Sequence, residues 1–433
     1  MHLLLDIRIL SGPFVIIVYG LSLVTVVYLV ARQHTRSRLL ILVLAAVGGA
    51  VIGFVTSWLV SDVWNVFDVP PTPVMRMWVC LAFAGIAIAG TNLRHSRWPR
   101  KVIASLAIVL FVLTAAVGIN VDFAGFSTIR AALGLGALPL MTLPAVDPTD
   151  PGSPDRPLAK TWSAPVDMPA KGRVGTVIIP ATVSKFDTRD ALVYLPPAAL
   201  TANPPKLPIL VMLSGQPGAP YNIFDTARLP GLLDRYAQLH NGLAPIVVVP
   251  DQLGAVDHNP MCVDSALGNS ATYLTVDVPN WIRTHLNVAQ DRVDWAVGGY
   301  SQGGTCSIQF AAGYPGVFGS FIDISGELAE HSGSVQDTID RGFGGSAAAY
   351  SAAKPLAVLA GRAPYPDSTA IFGIGENDSR FSPGQHLLAS AAKRAGMNVT
   401  VITSPNSAHD WNTVRYTLAH AMPILYARWG LGG

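Results

Sequence analysis

The stretch Gly299-Tyr300-Ser301-Gln302-Gly303 decides how most of this chain is read. It follows an apolar run, Val293-Asp294-Trp295-Ala296-Val297-Gly298, that reads as a short buried strand. Behind it, Gly304-Thr305-Cys306-Ser307-Ile308-Gln309-Phe310-Ala311-Ala312 reads as a buried helix. Strand, G-x-S-x-G and helix in that order form a sharp turn that lifts a serine hydroxyl clear of the sheet. The glycines have a steric reason, because so tight a turn leaves no room for a Cβ two residues to either side of the serine. The new helix also points its free N–H groups and positive end at whatever reacts at Oγ. Ser301 is therefore the candidate nucleophile.

On either side, short apolar β-rich runs alternate with amphipathic ones. Residues 174–179 and 190–195 read as antiparallel opening strands. Further strands are expected at 208–213, 245–250, 319–324, 370–374 and 399–402, and helices at 229–239, 270–285 and from about 411. This alternation predicts a mostly parallel sheet covered on both faces, an α/β-hydrolase fold over 173–433. Ligands of such sheets collect at the carboxyl ends of the strands, which is where Ser301 falls.

A serine at this turn needs a base and an acid, supplied in the chain order Ser, acid, His. Of the histidines after residue 173, only His409 directly follows a late strand, in Ser407-Ala408-His409-Asp410-Trp411. It is the candidate base. The preceding strand runs into Gly375-Glu376-Asn377-Asp378-Ser379, so Asp378 and Glu376 both stand as candidate acids. An oxyanion hole would use the N–H of Gln302 and a second N–H from the turn after 208–213, at Gly215 or Gln216.

The first 120 residues are of another kind. Apolar stretches at 9–31, 39–60, 74–90 and 102–119 are each long enough, or nearly so, to cross a bilayer as a helix. Ala46-Val47-Gly48-Gly49-Ala50 with Gly53 supplies small residues suited to close helix packing. The loop Arg32-Gln33-His34-Thr35-Arg36-Ser37-Arg38 and the residues Arg94, Arg97, Arg100 and Lys101 are basic. The loop between them holds Asp62, Trp64, Phe67 and Asp68. Basic loops stay cytoplasmic, which puts the N-terminus and everything after the fourth helix outside. Residues 122–141 are expected to form an amphipathic helix along the outer membrane surface, and the proline-dense 144–155 a linker. The division is thus 1–120 transmembrane helices, 121–172 amphipathic segment and linker, 173–433 catalytic domain.

Composition agrees. Half of the 433 residues are hydrophobic, 13% are charged and mean hydropathy is +0.40, too apolar for a purely soluble enzyme. A net charge of +2 gives no reason to expect nucleic acid. Among three cysteines there is no CxxC pair and no zinc spacing, so neither metal nor cofactor is expected. Cys262 and Cys306 both lie in the outside unit, where they either pair as a disulfide bracing the serine turn or remain buried thiols. Cys80 falls inside the third apolar helix and is expected only to pack.

Gly299-Tyr300-Ser301-Gln302-Gly303-Gly304, Gly375-Glu376-Asn377-Asp378 and His409-Asp410-Trp411 followed by Val414-Arg415 and Leu418 together resemble the esterase D-type family of α/β hydrolases. That family includes feruloyl esterases, S-formylglutathione hydrolases, enterochelin esterases and the mycobacterial mycolyltransferases. The resemblance covers about 173–430 and implies Ser301 as nucleophile, Asp378 as acid and His409 as base. It implies a serine esterase working through an acyl-enzyme. Beside a membrane anchor, the expected substrate is a membrane or cell-envelope ester such as an acylated or aminoacylated lipid. Acyl transfer to a sugar or lipid is the alternative, and a non-catalytic envelope-binding role on the same fold the second. In place of the His-Gly start common among hydrolases, the oxyanion turn here has Ser214-Gly215.

Overall fold

The computed structural model describes residues 2–31, 36–64, 71–93, 96–133, 138–145, 157–256 and 258–432. Residues 32–35, Phe67, Asp68, Arg94 and the linker over 146–156, all used above, lie outside this set. Contacts group the chain into two compact units, Met1–Leu135 and Gly136–Gly433.

The first unit holds helices α1 (Pro13–Val30), α2 (Arg36–Trp58), α3 (Pro73–Leu93) and α4 (Trp98–Phe123), each long and apolar enough to cross a membrane. The small residues do bring α2 onto α3. A Cβ added at Gly49 would fall 2.5 Å from the Phe83 carbonyl oxygen, and one at Gly53 would fall 3.0 Å from Cys80 Cα. Arg100 is not the loop charge that the sequence suggests. It lies buried in the first turn of α4, donating from Nε to Asn92 Oδ1 (2.8 Å) and from Nη2 to the Leu29 carbonyl (2.8 Å). The last carbonyls of α1 have no intrahelical donor, and the guanidinium supplies one.

Among the described residues of 122–141, in place of one amphipathic helix stand the end of α4, a single turn Ile129–Ala132 and a bridge between Leu140 and Thr176. Met141 N–H donates to the Thr176 carbonyl and Thr176 N–H to the Pro139 carbonyl, at 2.8 and 2.9 Å. A sheet edge presents unpaired N–H and C=O groups, and this segment meets them as an extended chain.

The second unit is built on one eight-stranded sheet. Its strands are β1 (Arg173–Val177), β2 (Ala191–Leu195), β3 (Ile209–Leu213), β4 (Ile246–Val249), β5 (Trp295–Tyr300), β6 (Ser320–Ile324), β7 (Thr369–Gly375) and β8 (Asn398–Ser404). The spatial order is β1-β2-β4-β3-β5-β6-β7-β8, with β2 antiparallel to both β1 and β4 and every later pairing parallel. Strands β2 to β7 are buried along their whole length, and β1 and β8 carry exposed and half-buried positions. That difference explains the sequence pattern, since strands covered on both faces read as continuous apolar runs. Helices α5 (Leu229–Leu239), α6 (Val278–His285), α7 (Gln302–Gly313), α8 (Pro355–Arg362), α9 (Ser382–Arg394) and α10 (Trp411–Trp429) accompany the sheet. The chain has an α/β-hydrolase-like fold, preceded by four long apolar helices. Strands β3, β5 and β7 deliver the oxyanion turn, Ser301 and Asp378 to the same edge of this sheet.

Candidate active site

Ser301 sits between β5 and α7 with φ 56° and ψ −120°, a left-handed conformation that side chains rarely adopt. The turn is held by Ser301 N–H donating to the Ile324 carbonyl at the end of β6, at 2.8 Å. Its tightness accounts for the flanking glycines. A Cβ at Gly299 would strike the backbone of Gly303, and one at Gly303 would strike the Ser214 carbonyl oxygen.

His409 comes from the loop between β8 and α10. Its Nε2 lies 3.0 Å from Ser301 Oγ, hydrogen-bond distance for a base and its nucleophile. The ring is fixed by aromatic neighbours: Phe381 stacks on it at 4.3 Å between centroids, and Tyr300 lies at 4.9 Å. On the far side, Asp378 Oδ2 is 3.4 Å from His409 Nδ1. Neither of these two buried atoms has a hydrogen bond, although Asp378 Oδ1 accepts the Phe381 N–H at 3.1 Å. The pair face each other at a separation longer than a good hydrogen bond. The other candidate acid goes elsewhere. Glu376 is exposed, and its Oε2 accepts the Asn406 N–H at 2.8 Å.

Two of the three candidate oxyanion donors flank Ser301 directly. Gln302 opens α7, and a Cβ added at Gly215 would fall 3.4 Å from Ser301 Cβ. Gln216, one residue further along the turn, precedes a cis peptide bond to Pro217.

Cys262 and Cys306 are joined as a disulfide, with Cα atoms 5.5 Å apart. It ties the loop after β4 to the first turns of α7. Glu330 Oε1 lies 3.3 Å from Cys306 Sγ. Complete burial pushes the Glu330 carboxyl well above its ordinary range. With the sulfurs bonded to each other, this cluster keeps only one carboxylate as a metal ligand.

Three other groups at the site were not singled out in the sequence. Asp410, next to His409, accepts the N–H groups of Asn412 and Thr413 at 2.8 and 3.1 Å and so caps α10. Its position one residue before the helix start was the available signal. Gln252 and Asn259 are fully or almost fully buried amides in the loop after β4, joined through the Gln302 side chain. Asp323 at the end of β6 is also buried. It accepts from Gln385 Nε2 and Gly326 N–H, both at 3.0 Å, and burial pushes its carboxyl up to about 7.

A family model described as "Putative esterase" matches residues 187–421, more than half of the chain and all of the groups above. An uncharacterized protein of Corynebacterium glutamicum is 31% identical over 413 residues, spanning 93% of this chain and 92% of its own length. That alignment therefore runs through the helical unit as well. A ferulic acid esterase has the same fold with a TM-score of 0.50 at 16% identity, covering 60% of this chain and 98% of its own. An S-formylglutathione hydrolase from Agrobacterium tumefaciens superposes at 0.49 and 19% identity, over 61% of this chain and 98% of its own. A strained serine at a strand-to-helix turn, a histidine on its hydroxyl and a family match spanning both fit one conclusion: the chain belongs to the esterase family of α/β hydrolases and is a hydrolase of that kind.

Proposed function

We propose that the protein is a membrane-anchored serine esterase whose triad is Ser301, His409 and Asp378. Ser301 Oγ attacks the carbonyl carbon of an ester while its proton passes to His409 Nε2. Asp378 orients the imidazole and stabilises the cation as it forms. The carbonyl oxygen, now an anion, is held by the N–H of Gln302 with that of Gly215 or Gln216. Collapse of the tetrahedral adduct breaks the C–O bond, and His409 returns the proton to the departing alcohol. Water, activated by the same histidine, then releases the acid from the acyl-enzyme. The single observation behind this reading is the 3.0 Å approach of His409 Nε2 to a serine held at φ 56°.

The four apolar helices support a substrate at a membrane or cell-envelope surface, an acylated or aminoacylated lipid. In this reading residues 1–120 anchor the protein, 121–172 connect, and 173–433 work on the extracytoplasmic side. Protease added to intact cells should then cut the catalytic unit, and protection until lysis would reverse the orientation.

The decisive test is fluorophosphonate labelling of the full-length protein in detergent, followed by incubation of envelope lipid extracts with wild type and Ser301→Ala. Labelling of wild type alone, with loss of one lipid and appearance of a free acid or amino acid, is the expected result. Transfer of the acyl group to an added sugar or lipid would make the enzyme a transferase. An unlabelled wild type would end the proposal.

A further inference from the structure

Four residues in the catalytic unit, Ser214, Gln252, Gln302 and Asn259, are joined by a chain of amide hydrogen bonds, and its direction is set from both ends. At one end Asn259 Oδ1 accepts the Met261 N–H (2.8 Å), and Asn259 Nδ2 donates to the His331 carbonyl (2.9 Å). Backbone groups have a single hydrogen-bonding role, so these two contacts fix which way the Asn259 amide faces. Its Oδ1 then also receives Gln302 Nε2, at 3.1 Å. Gln302 Oε1 must therefore face outward, where Gln252 Nε2 donates to it at 3.1 Å. The same Gln252 nitrogen donates at 2.6 Å to the Ser214 carbonyl oxygen, a backbone acceptor that confirms the polarity from the other end. All four side chains or turns involved, at Ser214, Gln252, Asn259 and Gln302, are buried.

What the chain grips matters more than its length. In a planar trans peptide the C=O and the following N–H point in opposite directions. Holding the Ser214 carbonyl on the Gln252 side therefore turns the Gly215 N–H to the opposite side of the turn. An added Cβ at Gly215 would meet Tyr300 Cδ1 at 3.2 Å and Ser301 Cβ at 3.4 Å, so this turn lies against the serine. Gln302, gripped by the same nitrogen, carries the other candidate donor on its backbone. Gln252 Oε1 has no hydrogen-bond partner, so the grip of its NH2 group is the whole polar contribution of this amide.

We infer that Gln252 is a positioning residue that sets the spacing of the two halves of the oxyanion hole, the Gln302 N–H and the turn that carries Gly215 and Gln216. The inference rests on the reading of Ser301 as nucleophile. Gln252 touches neither substrate nor reacting atoms. It acts through the Ser214–Gly215 peptide and the Gln302 side chain, and Asn259 anchors it against the loop that the Cys262–Cys306 disulfide ties down.

The test uses full-length wild type, Gln252→Met, Gln302→Met and the double variant in detergent. Each methionine keeps the side chain's length and removes its hydrogen bonds, and Gln302→Met retains the backbone N–H. Active sites are counted by fluorophosphonate stoichiometry, and turnover of a p-nitrophenyl ester is expressed per labelled site. Losing one oxyanion donor outright costs about 100- to 1,000-fold, so misplacing the pair should lower kcat about 10- to 100-fold with KM within about twofold. Because the residues act as one unit, the double variant should fall no further than the worse single one. A merely structural role would reduce the labelled fraction or the melting temperature and leave kcat per labelled site unchanged. That result in Gln302→Met alone overturns the inference, even if Gln252→Met fails to fold, and so do losses that multiply in the double variant. A wild type that neither labels nor turns over would instead sink the nucleophile reading itself.

Discussion

The helical unit and the catalytic unit treat their buried polar groups in opposite ways. In the helices such groups close one another off: Ser22 meets Thr114, Thr114 also reaches the Leu110 carbonyl, and Arg100 caps the end of α1 with help from Asn92. Among the described residues, every buried side-chain polar atom left without a hydrogen bond lies in the catalytic unit. Two of them, Asp378 Oδ2 and His409 Nδ1, face each other across 3.4 Å. An unmade buried hydrogen bond costs about 1–3 kcal/mol, so a fold tolerates it chiefly where function uses the free capacity. The first unit spends its polar groups on structure. In the proposed mechanism the second keeps Asp378 Oδ2 free to meet the positive charge that forms on His409.

The comparison breaks first at Asp378. Asp378→Ala should lower kcat/KM for an ester substrate about 1,000- to 10,000-fold while fluorophosphonate still finds Ser301, slowly. Glu376→Ala should stay within about threefold of wild type, because its carboxylate serves the Asn406 N–H on the surface. Equal losses in the two variants would mean that the 3.4 Å pair is not the working one.

Much of this was legible beforehand, and the reasons are local. A buried parallel strand writes itself as an apolar run, and the turn at Ser301 needs its glycines in a fixed pattern. Chain order then leaves His409 as the natural base. What could not be read was decided by where short loops turn. Glu376 and Asp378 are two residues apart, and only the fold of the turn sends one to the surface and the other to His409. Arg100 looked like a loop charge because a guanidinium that caps a neighbouring helix has no sequence mark. Gln252 and Asn259 are neutral amides in a loop, a composition that ordinarily means solvent. Their burial depends on contacts across 38 to 72 residues of sequence, which no local pattern encodes.

A smaller effect is expected at Asp323, the buried acid that links β6 to Gln385 on α9. Its carboxyl is raised from 3.8 to about 7 in the fold by burial, so between those values the folded chain holds a proton that the unfolded chain has lost. Stability is then fullest below about pH 4 and is lost progressively as pH rises to about 7, at up to about 1.4 kcal/mol per pH unit from this group. Asp323→Asn imitates the neutral acid and should flatten that slope. Thermal melts of both proteins at pH 5 and pH 8 should show the variant gaining on wild type at the higher pH. Parallel melts at both values would mean that Asp323 stays ionised throughout.

The smallest effect, and the one that sharpens the contrast between the units, is at Arg100. Arg100→Met keeps the aliphatic stem and removes the donors to Leu29 and Asn92, leaving a carbonyl at the end of α1 without its partner. The cost should be about 1–3 kcal/mol of stability in the helical unit, seen as earlier melting or faster proteolysis of the full-length protein in detergent. Turnover of a soluble p-nitrophenyl ester per labelled Ser301 should be unchanged within about twofold, because in the proposed mechanism every reacting group comes from the catalytic unit. If turnover fell instead and melting did not, the polar groups of the helices would be working on the reaction, and the division drawn between the two units would be wrong.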